Sequence, residues 1–375
     1  MKILMIGWGF ENSISGGMDV HITRVAKSLA GIGAQVHLYL PSFNTSQPYE
    51  KNITIHTINT NSDQNDMFRM VQSYNRSIIK EAKNLDFDTV HSHDWLGVAG
   101  AKAVSKKNNA HWIHTVHSLE YMRCGKDDIT SGTIADIEKH GIEDSDTIIT
   151  VSNLMKKEIL QNYNIPPSKV HVIYNHTSGL KKQAHDIIPK HIEKIKANPK
   201  ILCISRLTFQ KGTEYLIYAA PEILKNYPDS KFIIVGDGHN KKSLEQFAEI
   251  LGVKDSFIFS GFAPREELNA YLTHADIFVM PSVHEPFGIS CLDAIDFNVP
   301  VVVSENVGAK ELLEGCVATH KTRSSKDIAE KITKLLSDKS YSDNLRDCAK
   351  KKLASIDNWD TIAKKVLKVY GSVRP

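Results

Sequence analysis

The 375-residue sequence has little net charge: Lys and Arg number 46 and Asp and Glu 43, which leaves +3 with histidine neutral. So small a total excludes nucleic-acid or membrane-surface binding by bulk electrostatic attraction. No apolar run approaches the ~18 residues of a membrane span, yet 41% of the residues are apolar, enough for a sizeable core. Cysteine is scarce. Cys124, Cys203, Cys291, Cys316 and Cys348 are odd in number and scattered, with no C-x-x-C pair. Neither a disulfide framework nor a structural zinc site is expected from them. The opening MKILMIG runs straight into Gly7-Trp8-Gly9, without the apolar stretch or cleavage site of a secretory signal. A buried first strand and a reducing, cytoplasmic location are expected.

At ~100–200 residues per domain the length suggests two domains. Short β-branched runs alternate with amphipathic stretches throughout, the α/β pattern of parallel sheets with helices on both faces. Strands are expected at 2–6, 36–40, 53–58, 89–91, 112–116, 147–151 and 170–174. Met18, Ile22, Val25, Leu29 and Ile32 recur at helical spacing before Gly33. Residues 177–199 turn Lys-, His- and Pro-rich and read as a linker. The alternation restarts with strands at 201–205, 232–235, 257–259, 277–280 and 301–303, and only helix is read beyond Thr322. This places an N-terminal domain at 1–176 and a C-terminal domain at 200–356. In such sheets ligands bind outside the carboxyl ends of the strands, where the site is sought.

Gly7, Gly9, Gly16 and Gly17 fill the first βα loop, where a backbone can approach an anion closely. Position 12 is Asn, so this is not the dinucleotide fingerprint. Arg206 and Lys211 follow the strand at 201–205 and suit a diphosphate, Arg bidentately and Lys as a point charge. Glu285 precedes the turn Pro286-Phe287-Gly288, and Asp293 lies on the helix that follows. Amides near Gly288 and Ile289 suit phosphate, and the two acids suit sugar and ribose hydroxyls. Taken singly, each feature reads as well as a glycine-rich turn, solvated loop cations or a helix cap.

His91, Ser92, His93, Asp94 and Trp95 end one strand, and His111, His114 and His117 populate the next. Strand alternation sends His111 and His117 to one face and His114 to the other. Imidazoles at strand ends usually bond to backbone or ligand, so no metal is expected. His117 and Asp94 are the candidates at the site.

In order along the chain, GGMDVHITRVAKSLA, HSHDW, TVHSLEY, IITVS, VIYN, SRLTFQKGTEYLI, FIIVGDG, DIFVMPSVHEPFGISCLDAI and VPVVVSENVGAKEL resemble the retaining GT-B glycosyltransferases of family 4, including glycogen synthase-like members. The resemblance implies two Rossmann-like parallel-sheet domains facing a central cleft. It puts the donor on the second domain and the acceptor on the first, with no cofactor and no metal. A last helix at about 357–375 would pack back on the first domain. Gly16 and Gly17 match the loop near the donor phosphate, Arg206 and Lys211 the basic pair, Glu285 the acid near the transferred sugar, and Asp293 the acid on ribose. His117 matches the histidine near the sugar, Asp94 the acid of the His-Asp-Trp segment, and Asn175 the Asn after the last first-domain strand. The sequence departs from the pattern in four places: Asp293 replaces the usual Glu, Ser15 a Lys, and His176 a Gly, while Gly308-Ala309-Lys310-Glu311 stands for Gly-Gly-x-x-Glu.

The implied reaction is transfer of a hexose, glucose before others, from an ADP- or UDP-sugar to a saccharide acceptor with retention, as in glycogen or α-glucan synthesis. A lipid-linked or cell-surface oligosaccharide, or a small sugar, is the alternative acceptor. A nucleotide-sugar epimerase and a non-catalytic sugar-nucleotide binder are the readings of other classes.

Overall fold

The computed structural model describes every residue except 12, 13, 15, 43–50, 61–65, 125–128, 181–188 and 372–375. The chain divides into two compact units: Met1–Asn175 together with Asp357–Pro375, and His176–Ile356. Residues 177–199 fall in the second unit, and 181–188 of them lie outside the described residues.

The first unit is built on seven parallel strands: β1 Lys2–Ile6, β2 Gln35–Pro41, β3 Ile53–Ile58, β4 Thr89–His93, β5 His111–Val116, β6 Thr147–Thr150 and β7 Val170–Val172. Their order is β3-β2-β1-β4-β5-β6-β7. β1 is buried on both faces because alternate side chains serve two cores. Ile3 and Met5 pack with Leu29, Leu38 and Val366, while Leu4 and Ile6 pack with Tyr74, Val90 and Trp112. The helix Trp359–Gly371 completes the first of these cores through Ile362, Ala363, Val366 and Tyr370. Between β1 and β4 the connections leave to opposite sides, which is the switch point where such sheets open a binding crevice.

The second unit carries six parallel strands: β8 Lys200–Ile204, β9 Lys231–Val235, β10 Phe257–Gly261, β11 Ile277–Met280, β12 Val301–Ser304 and β13 Ala318–His320. Their order, β10-β9-β8-β11-β12-β13, puts the switch point between β8 and β11. β13 is the strand that periodicity missed. Its three residues are too few to show alternation, and pairing with β12 makes it a strand.

One expectation is corrected here. Cys316 and Cys348 form a disulfide, their Cα atoms 5.1 Å apart across a sequence separation of 32. The helix Lys339–Ser355 brings Cys348 beside the turn before β13, a proximity that spacing along the chain could not reveal. Cys203 and Cys291 are buried thiols. Among the described residues no helix is long and apolar enough to cross a membrane.

Candidate active site

In the first unit the sequence candidates gather at the carboxyl ends of β1, β4 and β5. The glycine loop after β1 is tied down by Asp19, whose buried carboxylate accepts the amide of Gly9 at 2.9 Å. Gly16 caps the helix Gly17–Gly31 in an extended conformation. Among the described residues nothing lies within 4 Å of where its Cβ would stand.

Asp94 follows β4 with φ 46° and ψ −163°, a backbone region that costs a side-chain-bearing residue energy and is often kept at functional sites. Its Oδ1 accepts the amides of His117, at 2.7 Å, and Ser118, at 3.3 Å. Burial pushes its pKa up, while the nearby Arg123 guanidinium and the His117 amide oppose that rise. Asp94 therefore shapes the turn that carries His117. Strand alternation does not reach His117, because β5 ends at Val116. His117 Nε2 stands 3.0 Å from His93 Nδ1. His21, from the first helix, packs edge-on against His117 with centroids 4.8 Å apart, and its Nδ1 faces Asn175 Oδ1 at 2.7 Å.

Burial, then neighbouring imidazoles, lowers His21 and His117 to about 3, and His93 falls well below its usual value. All three rings are neutral near pH 7. They can exchange hydrogen bonds but cannot supply positive charge. His114 and His111 lie elsewhere, bonded to Ser92 Oγ at 2.9 Å and Thr147 Oγ1 at 3.0 Å.

Sequence reading passed over His21, named His93 without making it a site candidate, and missed an ion cluster behind Asp94. Arg123 contacts Glu120 at 2.8 Å, Glu138 at 2.5 Å and Asp94 at 4.0 Å. Burial raises Glu138 to about 7 against the pull of Arg123. The Glu120-x-x-Arg123 spacing on the helix Glu120–Cys124 is a local signal of it that the sequence reading did not use.

In the second unit the candidates gather beyond β8 and β11. Lys211 Nζ lies 2.7 Å from Glu285 Oε2, and both side chains are largely buried. Ser282 Oγ donates to the same oxygen at 3.3 Å. Gly212 must be glycine: its φ is 60°, and a Cβ there would stand 2.4 Å from the carbonyl oxygen of Pro281. Arg206 is exposed. Gly288, at φ 98°, starts the helix Ile289–Asp296, with Ile289 buried at its first position. The segment after β12 braces this turn, since Gly308 and Ala309 donate to the carbonyls of Glu285 and Phe287 at 2.9 and 2.8 Å.

Asp293 is buried on that helix and accepts the Ser178 amide at 2.7 Å. Burial raises it to about 6, tempered by the Ser178 hydrogen bonds and by Arg265. Arg265 in turn donates to the Ser178 carbonyl at 3.1 Å. Ser178 and Arg265 thus belong to the surroundings of Asp293, and no local motif announced them.

Residues 15–177 match the family described as Glycosyltransferase Family 4, and residues 185–352 match Glycosyl transferases group 1. The chain is 31% identical to an uncharacterized glycosyltransferase of Methanocaldococcus jannaschii, over 99% of this chain and 98% of that one. It is 26% identical to a glycogen synthase of Mycobacterium tuberculosis, over 99% and 94%. Among solved structures it superposes on HepE of Anabaena in complex with UDP and glucose, with a TM-score of 0.79 at 18% identity and both chains fully covered.

Proposed function

Because this chain belongs to the family 4 glycosyltransferases and has their GT-B fold, we propose that it transfers a hexosyl group, glucose before others, from an ADP- or UDP-sugar to a saccharide acceptor of the α-glucan type, with retention of configuration. The observation that carries this reading is the Lys211–Glu285 pair beside the Gly288 turn. It sets a cation for phosphate directly against an acid for sugar hydroxyls, the two chemistries a nucleotide sugar presents at its reacting bond. The relative solved with UDP and glucose supports a nucleotide-sugar donor.

In this reading Arg206, Lys211 and the amides near Gly288 and Ile289 meet the charge that develops on the leaving diphosphate. Glu285 holds the hydroxyls of the transferred sugar. Asp293 keeps one oxygen on Ser178 and turns the other to ribose. Gly16 and Gly17 give the phosphates room, and Asn175 orients His21. Neutral His117, aimed by Asp94, accepts or donates a hydrogen bond at the sugar. The C1–phosphate bond breaks, the acceptor oxygen bonds to C1 on the same face, and its proton passes to the departing phosphate oxygen. No carboxylate stands out as a nucleophile, so same-face displacement is preferred to a covalent intermediate. Charge on the diphosphate is met by side chains and amides, so no metal is called for.

The test is nucleotide release from ADP-, UDP- and GDP-sugars with and without glycogen. Release that requires glycogen is the expected result. Release with other saccharides alone replaces the acceptor; an epimerised donor, or binding without turnover, overturns transfer.

A further inference from the structure

We propose that His21, His93 and His117 form a binding site for a divalent transition-metal ion of the zinc class. One ring nitrogen from each lies within 4.8 Å of the others, and the side chains are 0, 1 and 9% exposed. Two observations separate this cluster from ordinary packing.

The first is an orphaned ligand atom. His21 Nε2 is buried without a hydrogen-bond partner among the described residues, whereas buried side-chain nitrogens are ordinarily satisfied. His91, tilted against His93 with centroids 4.2 Å apart, shows the ordinary case. Its Nδ1 meets the Tyr370 hydroxyl at 2.7 Å and its Nε2 meets Thr115 Oγ1 at 2.6 Å.

The second is the support behind His21. An amide oxygen only accepts, so Asn175 Oδ1 at 2.7 Å places the His21 proton on Nδ1 and the lone pair on Nε2. Metal-binding histidines are oriented by such an outer partner. Zinc–nitrogen bonds of ~2.0–2.1 Å in a tetrahedral site put ligand nitrogens about 3.4 Å apart. His93 and His117 already stand at 3.0 Å, and ring rotations of about an ångström at the nitrogens bring in the third. Their hydrogen bond then gives way to two metal bonds, through His93 Nδ1 and His117 Nε2, the shared proton moving to the other nitrogen of its own ring, and a water or ligand oxygen takes the fourth position. Imidazole favours zinc, cobalt, nickel and copper over magnesium and calcium. The Asp94 carboxylate, near enough to His21 to act on it, offsets the added positive charge.

Filling the site withdraws His117 from the sugar, so the loaded chain is inhibited. That consequence, unlike the site, rests on the transfer reading above.

The full chain, stripped with EDTA and dialysed, is titrated with Co2+ by visible absorption and then with Zn2+. One equivalent of Co2+ should give d–d bands of a four- or five-coordinate ion, displaced by Zn2+ and not by excess Mg2+. His21→Gln and His93→Gln should each weaken binding by roughly tenfold or more. Absence of a saturable band in the unaltered chain overturns the site, whatever the variants do. So does a band that persists in both variants, or one lost in His56→Gln, because the half-buried His37–His56 pair, 3.0 Å apart, could take the probe instead. Turnover unchanged by bound Zn2+ overturns the inhibition; a metal-free chain without transfer overturns the earlier reading by itself.

Discussion

Asp94 accepts the backbone amide of His117 at 2.7 Å across 23 residues of sequence. A carboxylate beside a candidate sugar-binding imidazole is thereby spent on the main chain, and its effect on the reaction passes through the ring it aims.

Asp94→Ala removes that acceptor and leaves two amides to find others, a change worth about 1–3 kcal/mol where the site is buried. Turnover should fall by roughly 10- to 100-fold, with nucleotide affinity nearly unchanged. Asp94→Asn keeps an acceptor oxygen and should lose less. Steady-state kinetics with calorimetric nucleotide binding checks both, and equal losses in the two variants would contradict the positioning role.

Glu285→Gln keeps the shape of the side chain but removes the charge that faces Lys211 at 2.7 Å. Transfer should fall by about 100-fold or more, an interaction of oxyanion-hole strength, while the nucleotide binds nearly as before. Unchanged turnover would remove Glu285 from the mechanism.

Asp293 is raised to about 6, so it protonates within reach of ordinary buffers. As pH falls through 6 the carboxylate loses its charge, and ribose hydroxyls lose their stronger acceptor. Nucleotide affinity should weaken several-fold, on the order of 1 kcal/mol, between pH 7 and 5. Calorimetry with ADP or UDP should show this in the unaltered chain and a shallower profile in Asp293→Asn, whose remaining slope is that of the nucleotide's own terminal phosphate, with a pKa of about 6.

The first unit should lose stability in mild acid. His21 and His117 have folded values of about 3 against 6.5, so between those limits only the unfolded chain holds their protons. Stability therefore rises with pH up to about 6.5, at up to about 1.4 kcal/mol per pH unit for each group. Glu138 has the opposite sign: raised from 4.5 to about 7, it makes stability fall as pH rises through that window. Asp94, raised above 3.8, acts in the same sense as Glu138. His91, His93 and His114 are lowered too, so the histidines outweigh the carboxyls. Urea unfolding of this unit should show a lower midpoint at pH 5 than at pH 7; a higher one would reverse the assignment.

The parallel strands were readable because both faces of each sheet are covered, and continuous apolar runs such as those in Lys2–Ile6 and Val301–Ser304 announce that. Gly288 was readable as a turn residue, and its positive φ angle gives the reason. Three-residue β13 was not, since its strand character comes from its neighbour.

By itself the sequence established two α/β halves and the loops that carry the candidate residues, because strand and helix periods and turn glycines are local properties. Only the tertiary structure decided which residues meet. Lys211 finds Glu285 across 74 residues, His21 finds Asn175 across 154, and His91 finds Tyr370 across 279. For the first pair the cause is the order of the second sheet, with β8 beside β11; for the other two it is the core over the first sheet that the first and last helices share. Within each unit, groups distant in the chain are thereby brought together, and which imidazoles and ions meet depends on that arrangement and on burial, neither of which local spacing encodes.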